Sequence, residues 1–537
     1  MDGVKSLTPK ARICLARQLK LIGKSKPTRR VWIPKPGKDE KRPLGIPTMH
    51  DRALQGVVKA ALEPEWEALF EALSYGFRPG RSCHDAIRHI KDSIQSKAKY
   101  VLDADIAKCF DRINHNALLR KLNHKGKVRK QVKAWLKSGV IDHNVFAATK
   151  EGTPQGGVCS PLLANIALHG IAEHLNNFIL SVSLRYPNGK SMKKKDKISS
   201  LTFIRYADDF VILHSEKSVV LKCREIISHW LNDIGLELKS EKTRLAHTLL
   251  SSESEDGIAG FNFLGFNIIQ RFAGKYVSAR NTKGHTLGFN TYISPTKESI
   301  KTHLEKIGNI LRKKRNAPQG EIISLLNPII RGWTNYYTHS DAKTIGALKR
   351  LDHLTYLKLR RWGKRKCQST KTASNKYWHR IGNKKWVFAK KEKGYKPYRL
   401  LEHDEFECSS NKYVKVKTDA SPYNGNLVYW STRMGRYPDI SNRKSRLFCL
   451  QKGICNWCNL KFREDDIIEE DHILAKSLGG KDEWKNLQLL HGHCHDEKTI
   501  LDFSLLREKR ISKYFDEVNK QLNKISWKWI DDLLVTN

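Results

Sequence analysis

The stretch Phe203-Ile-Arg-Tyr-Ala-Asp-Asp-Phe-Val-Ile-Leu-His214 reads as two short hydrophobic strands hinged at Ala207, Asp208 and Asp209, with two carboxylates at a tight hairpin tip. Earlier in the chain, Tyr100-Val-Leu-Asp-Ala-Asp-Ile-Ala-Lys-Cys-Phe-Asp111 reads as another strand, ending in Asp103, Asp105 and Asp111. Carboxylates at the ends of neighbouring strands can share divalent cations. Phosphoryl transfer uses such a set, because two Mg²⁺ ions about 3.5 to 4 Å apart stabilise both the attacking and the leaving oxygen. Three aspartates suffice, since Mg²⁺ keeps some of its waters. A pair of aspartates in a turn is by itself no more than a solvated turn, so the rest of the chain has to decide.

The chain has 537 residues, 98 Lys and Arg against 55 Asp and Glu, and a formal net charge of +43. That length predicts several domains, and 39% hydrophobic residues exclude wholesale disorder. Such a charge excess serves to bind a polyanion, either nucleic acid or an anionic membrane surface. No run of about 18 apolar residues exists to span a bilayer. Basic segments are interleaved with Trp and Tyr, which favours nucleic acid. Lys297 to Leu400 alone carries 27 Lys and Arg against 6 Asp and Glu, together with Trp333, Tyr336, Tyr337, Trp362, Tyr377, Trp378 and Trp386. Cations plus stacking faces predict a nucleic-acid surface there. Eleven cysteines are too sparse for a disulfide scaffold and suit a reducing compartment.

The pattern predicts an α+β, multi-domain chain. Residues 1–290 alternate β-rich runs with helical ones, and 291–400 turn helical and basic. Residues 401–446 are rich in turn formers such as Ser421, Pro422 and Gly425 and predict a loosely packed connector, expected also to serve as a DNA-binding region. A compact Cys/His module follows over 447–505, and 506–537 form a C-terminal tail.

Further blocks surround the aspartates. Ile33-Pro-Lys-Pro-Gly, Lys41-Arg-Pro-Leu-Gly-Ile-Pro47 and Ser74-Tyr-Gly-Phe-Arg-Pro-Gly80 precede them; Gly152-Thr-Pro-Gln-Gly-Gly-Val-Cys-Ser-Pro161 lies between. Gly235-Leu-Glu-Leu-Lys-Ser-Glu-Lys-Thr243, Phe261-Asn-Phe-Leu-Gly-Phe266 and Asn327-Pro-Ile-Ile-Arg-Gly-Trp-Thr-Asn-Tyr-Tyr337 follow. In this order they resemble the reverse transcriptases encoded within group II introns, over nearly the whole chain. The resemblance implies right-hand polymerase fingers and palm over 1–290 and a helical thumb and maturase domain over 291–400. It implies Asp105, Asp208 and Asp209 as Mg²⁺ ligands and Phe110 as a ring that excludes a ribose 2′-hydroxyl. Gln155 would line the nucleotide pocket, Arg42 and Lys35 would hold the triphosphate, and Lys242 would protonate the leaving pyrophosphate. Relatives usually carry several dozen residues before a Gly-Val-Asp-Gly-Val element, whereas this sequence opens at Met1-Asp-Gly-Val-Lys5. The leading segment that grips template and intron is therefore expected to be missing.

In the last module, Cys455-Asn-Trp-Cys458 and His491-Gly-His-Cys494 have the paired spacing of a tetrahedral Zn²⁺ site. The fourth ligand is open between His491, His493 and none. Glu470-Asp-His-Ile473, Gly479-Gly480, Asn486 and His495 complete a resemblance to zinc-stabilised ββα-metal HNH endonucleases. That resemblance implies His472 as general base, Asp471 and His495 as ligands of a catalytic Mg²⁺ or other divalent ion, and Asn486 as a loop brace. A purely structural zinc knuckle would explain the cysteine pairs alone.

The function implied is threefold: binding intron RNA to assist splicing, nicking target DNA, and copying RNA into DNA from deoxynucleoside triphosphates at the nick. Two rivals are a splicing factor with a decayed polymerase and a reverse transcriptase of another bacterial element. No membrane partner is expected. The compartment is intracellular, bacterial cytoplasm or an organelle, and the oligomeric state is open, a dimer included.

Overall fold

The computed structural model describes residues 8–34, 40–186, 188–281, 283–390, 397–417, 420–437, 440–463, 465–530 and 533–536. Lys35 and the opening Met1-Asp-Gly-Val-Lys5 lie outside the described residues. The chain divides into two compact units, Met1–Asp419 and Ala420–Asn537.

The first unit is built on a four-stranded antiparallel sheet in the order Thr202–Tyr206, Asp209–His214, Tyr100–Asp105, Arg244–His247. Ile204, Phe210, Val211, Ile212 and Leu213 are fully buried, which is why these strands read as continuous apolar runs rather than alternating ones. The first of the central strands stops at Asp105. Asp111 is not on it: a left-handed Lys108 turns the chain into the short helix Cys109–Arg112, which carries Asp111 instead. A second sheet, in the order Lys41–Ile46, Thr28–Pro34, Val140–Asp142, Val145–Ala147, presents the basic Lys41-Arg-Pro block.

After these sheets in the chain, helices Lys297–Lys313, Gln319–Tyr336 and Ala347–Cys367 pack around Ile307, Ile322, Leu326, Ile330 and Leu359. The helical expectation for 291–400 fails at both ends: strand Phe289–Pro295 still crosses its first residues, and after Tyr377 the chain changes to a small antiparallel sheet of Trp378–Ile381, Lys384–Lys390 and Tyr398–Arg399. Tyr337, Trp362, Tyr377 and Trp378 are buried at 3 to 6% exposure, so these rings form the core and are not stacking faces. Trp386, at 59%, stays on the surface.

Residues 401–417 are no loose connector. The Asp352 carboxylate accepts from the backbone N–H of His403 at 2.7 Å, its Nδ1 at 2.6 Å and the Asp404 N–H at 3.0 Å. Farther on, Val416 N–H donates to Asp85 at 2.6 Å, and Lys91 bonds Ser410 and Asn411. Both acceptor and donor sit on helix Cys83–Ile94, whose Ser82–Asp85 capping box fixes its start.

In the second unit, helices Leu427–Met434 and Asn442–Leu450 lead to the antiparallel pair Ile468–His472 and Leu487–His491, then helix Gly492–Leu522. The expected module border at 505 therefore falls inside a helix that runs on into the supposed tail.

Candidate functional site

The hairpin between Tyr206 and Asp209 has only Ala207 and Asp208 as its turn, with Ala207 at φ +58°. Asp209 thus begins the returning strand, directly opposite Asp105 in register, and Asp208 stands at the tip. Burial first, then the charges of Asp208 and Asp105, push the Asp209 carboxyl up to about 7. Burial and Asp209 push Asp103, one pleat back, up to about 7 as well, and burial also raises Asp208. Crowded carboxylates that disfavour each other's charge form a donor set suited to hard divalent cations.

Lys242, at the end of the 3₁₀ turn Ser240–Lys242, pairs with Asp105. Burial works against its charge, but the Asp105 hydrogen bond and the neighbouring aspartates outweigh it and raise its pKa. Arg42 lies on strand Lys41–Ile46 opposite Ile33, and its charge reaches both Asp208 and Asp209. Gln155 is held by Asp111, whose two carboxylate oxygens accept from its side-chain amide at 3.0 and 3.1 Å. The loop can lie this close because residue 152 is glycine: a Cβ there would stand 2.5 Å from the Asp111 carbonyl oxygen. Phe110 packs edge-on against Phe77 at 6.0 Å between centroids, beside that loop.

Sequence reasoning did not find the supports under the hairpin. Arg205, 1% exposed, donates to the Asn165 side chain at 3.0 Å and to the Ala207 carbonyl at 3.2 Å, and its guanidinium is 3.9 Å from Glu71. Burial alone would raise the Glu71 carboxyl, but the His169 hydrogen bond and the Arg205 charge prevail and hold it at about 2. Gly76 lies against the turn itself, where a Cβ would come 2.2 Å from the Ala207 nitrogen. The available signal was Arg205 itself, a lone charge inside an apolar strand.

In the second unit His472 ends the strand Ile468–His472, with its Nε2 3.0 Å from Asp482. Asp471 accepts from Gln488 at 2.8 Å, pairs with the buried Lys498 at 3.2 Å, and stands 4.0 Å from His495 Nε2. Asn486 receives the Leu474 N–H at 2.8 Å and donates to the Leu474 and Lys481 carbonyls at 3.0 and 2.9 Å, closing the intervening loop. Asp482 and Lys498 were not foreseen. Cys455, Cys458, His491 and Cys494 bring four ligand atoms within 4.8 Å of one another, a sulfur and nitrogen donor set that fits Zn²⁺. His493 is not in that group; its ring lies parallel to that of His491, 5.3 Å away.

Comparison with known proteins gives three family matches. Residues 33–268 match the reverse transcriptase (RNA-dependent DNA polymerase) family, 300–385 the group II intron maturase-specific domain, and 455–500 the HNH endonuclease family. Protein YkfC of Escherichia coli (strain K12) is 34% identical over 301 residues, covering 50% of this chain and 76% of that protein. Group II intron-encoded protein LtrA of Lactococcus lactis subsp. cremoris is 29% identical over 375 residues, covering 58% of this chain and 60% of that protein. The chain thus spans less than two thirds of LtrA. A solved apo telomerase from Candida tropicalis aligns at 18% identity over 45% of this chain and 53% of that one, with a TM-score of 0.35, too slight a likeness to bear on the fold. On these matches the chain belongs to the group II intron-encoded reverse transcriptase family, with maturase and HNH domains.

Proposed function

We propose that the protein copies RNA into DNA, binds intron RNA to assist its splicing, and nicks target DNA to obtain the primer. The observation that carries this reading is Asp105 standing in register with Asp209, with Asp208 at the adjoining tip. Asp105, Asp208 and Asp209 would hold two Mg²⁺, which supply charge stabilisation to the attacking 3′-hydroxyl and the leaving pyrophosphate. Arg42, together with Lys35, holds the triphosphate of the incoming deoxynucleotide. Gln155, fixed by Asp111, lines its pocket, and Phe110 closes the space that a 2′-hydroxyl would need. The Lys242 ammonium, kept charged by the aspartates, gives its proton to the departing pyrophosphate.

In the nuclease, His472 takes the proton of the attacking water. Asp482 receives the other side of the imidazole, and Asp471 with His495 would hold the divalent ion. Cys455, Cys458, His491 and Cys494 would hold a structural Zn²⁺, and Asn486 keeps the loop after His472 in shape. The basic surface of 297–400 offsets phosphate repulsion in the intron RNA, whose own groups perform splicing.

Separation of function tests the reading. Asp208→Ala is expected to splice and nick but not to copy RNA, and His472→Ala to splice and copy but not to nick. Loss of all three activities in either variant, with RNA binding retained, would count against distinct sites.

A further inference from the structure

The Cys/His cluster contains one ligand that does not orient itself. A cysteine presents its sulfur from a single rotatable bond, whereas an imidazole has to offer the right nitrogen in the right plane. His491 Nδ1 lies 3.3 Å from Cys458 Sγ, facing the cluster. Its Nε2 lies on the far side of the ring, 3.2 Å from the Asp466 carboxylate. A carboxylate only accepts, so it keeps the proton on Nε2 and leaves the Nδ1 lone pair for a metal. Asp466 is itself fixed, since the same Oδ2 accepts the Arg463 N–H at 2.6 Å. The ring also contacts Phe462, tilted at 4.7 Å between centroids, and stacks on His493 at 5.3 Å.

We propose that Asp466 is the positioning residue of the zinc site: it selects the tautomer and the ring orientation that let His491 serve as the fourth ligand. It touches no metal and acts only through His491. This inference rests on the zinc reading above and deepens it, because it explains how a histidine works beside three cysteines.

The test is a cycle on the full chain, read by zinc content and by competition with a chromogenic chelator, independently of nuclease activity. Asp466→Ala is expected to weaken zinc binding about 10- to 100-fold, the usual cost of losing such an outer partner. Asp466→Asn keeps an acceptor without the charge and is expected to fall between, which guards against simple misfolding of the alanine variant. In a His491→Cys background the thiolate needs no orientation, so Asp466→Ala is expected to cost nothing there or to tighten binding. Equal weakening in both backgrounds would overturn the proposal and make Asp466 a turn former only, and so would no weakening in either. An unmutated chain that neither retains nor takes up zinc would instead refute the zinc reading, and this inference with it.

Discussion

Arg205 is a full charge at 1% exposure, and its hydrogen bond to the Ala207 carbonyl ties it to the turn that carries Asp208 and Asp209. Its guanidinium holds the Ala207 carbonyl from below while Glu71 balances it. Removing one member of a buried charge pair typically costs about 3 to 5 kcal/mol, so Arg205→Ala is expected to lower the unfolding free energy extrapolated from urea titration by that amount. Because Glu71 is held at about 2 against an ordinary 4.5, its ionised form favours the folded state. That contribution, about 3 kcal/mol, is complete above about pH 4.5 and is lost as the pH falls toward 2. Glu71→Gln should therefore flatten the stability profile over that acid range, and an unchanged slope would contradict the assignment. Gly76→Ala places a Cβ 2.2 Å from the Ala207 nitrogen, so the hairpin must move. Displacement of reacting groups by an ångström costs about 100-fold, and polymerase rate should fall on that scale while far-ultraviolet dichroism stays native. The aspartates themselves were legible in the sequence, because two carboxylates between apolar runs form a visible pattern. Glu71 and Gly76 were not, and Arg205 showed only as a lone charge in an apolar strand, since what a charge or a glycine supports is known only with its three-dimensional neighbours.

Among the elements, the strands of the main sheet follow from short continuous apolar runs, and the helical character of 297–367 from its pattern. The exceptions arose where tertiary contacts overrode composition. Residues 401–446 looked loose because of turn formers such as Ser421, Pro422 and Gly425, all beyond 420, but over 401–417 the polar groups find partners on helix Cys83–Ile94 that no local pattern announces. Lys91→Ala is expected to leave the buried Ser410 with one partner fewer and to cost about 1 to 3 kcal/mol, measured as a lower thermal midpoint. The aromatic-rich run from 333 to 378 looked like a stacking surface, yet a helical bundle this small needs Trp362, Tyr377 and Trp378 for its own core. Basic composition and core aromatics coexist because lysine and arginine cover the outside of the same helices. The helix Gly492–Leu522 crosses the expected module border because nothing in its sequence ends a helix there, with neither Gly nor Pro between 493 and 522.

For the whole molecule, a net charge of +43 makes nucleic-acid affinity an ion-release equilibrium. RNA binding is expected to weaken about 10³-fold or more between 50 and 200 mM salt, the response of six or more neutralised phosphates. A flat response in filter binding would show that the charge serves some other purpose. The order of polymerase, helical and Cys/His regions was legible because each has its own composition, whereas the division at 419 and 420 depends on packing and was not. Primer extension reads whether Asp105, Asp208 and Asp209 form a working polymerase centre. Deoxynucleotide incorporation should be measured on an RNA template with an annealed DNA primer, with and without Mg²⁺, for the unmutated chain and Asp208→Ala. Mg²⁺-dependent extension that vanishes in Asp208→Ala is the predicted result; extension that survives the substitution, or none by the unmutated chain while it binds the same RNA tightly, would contradict it.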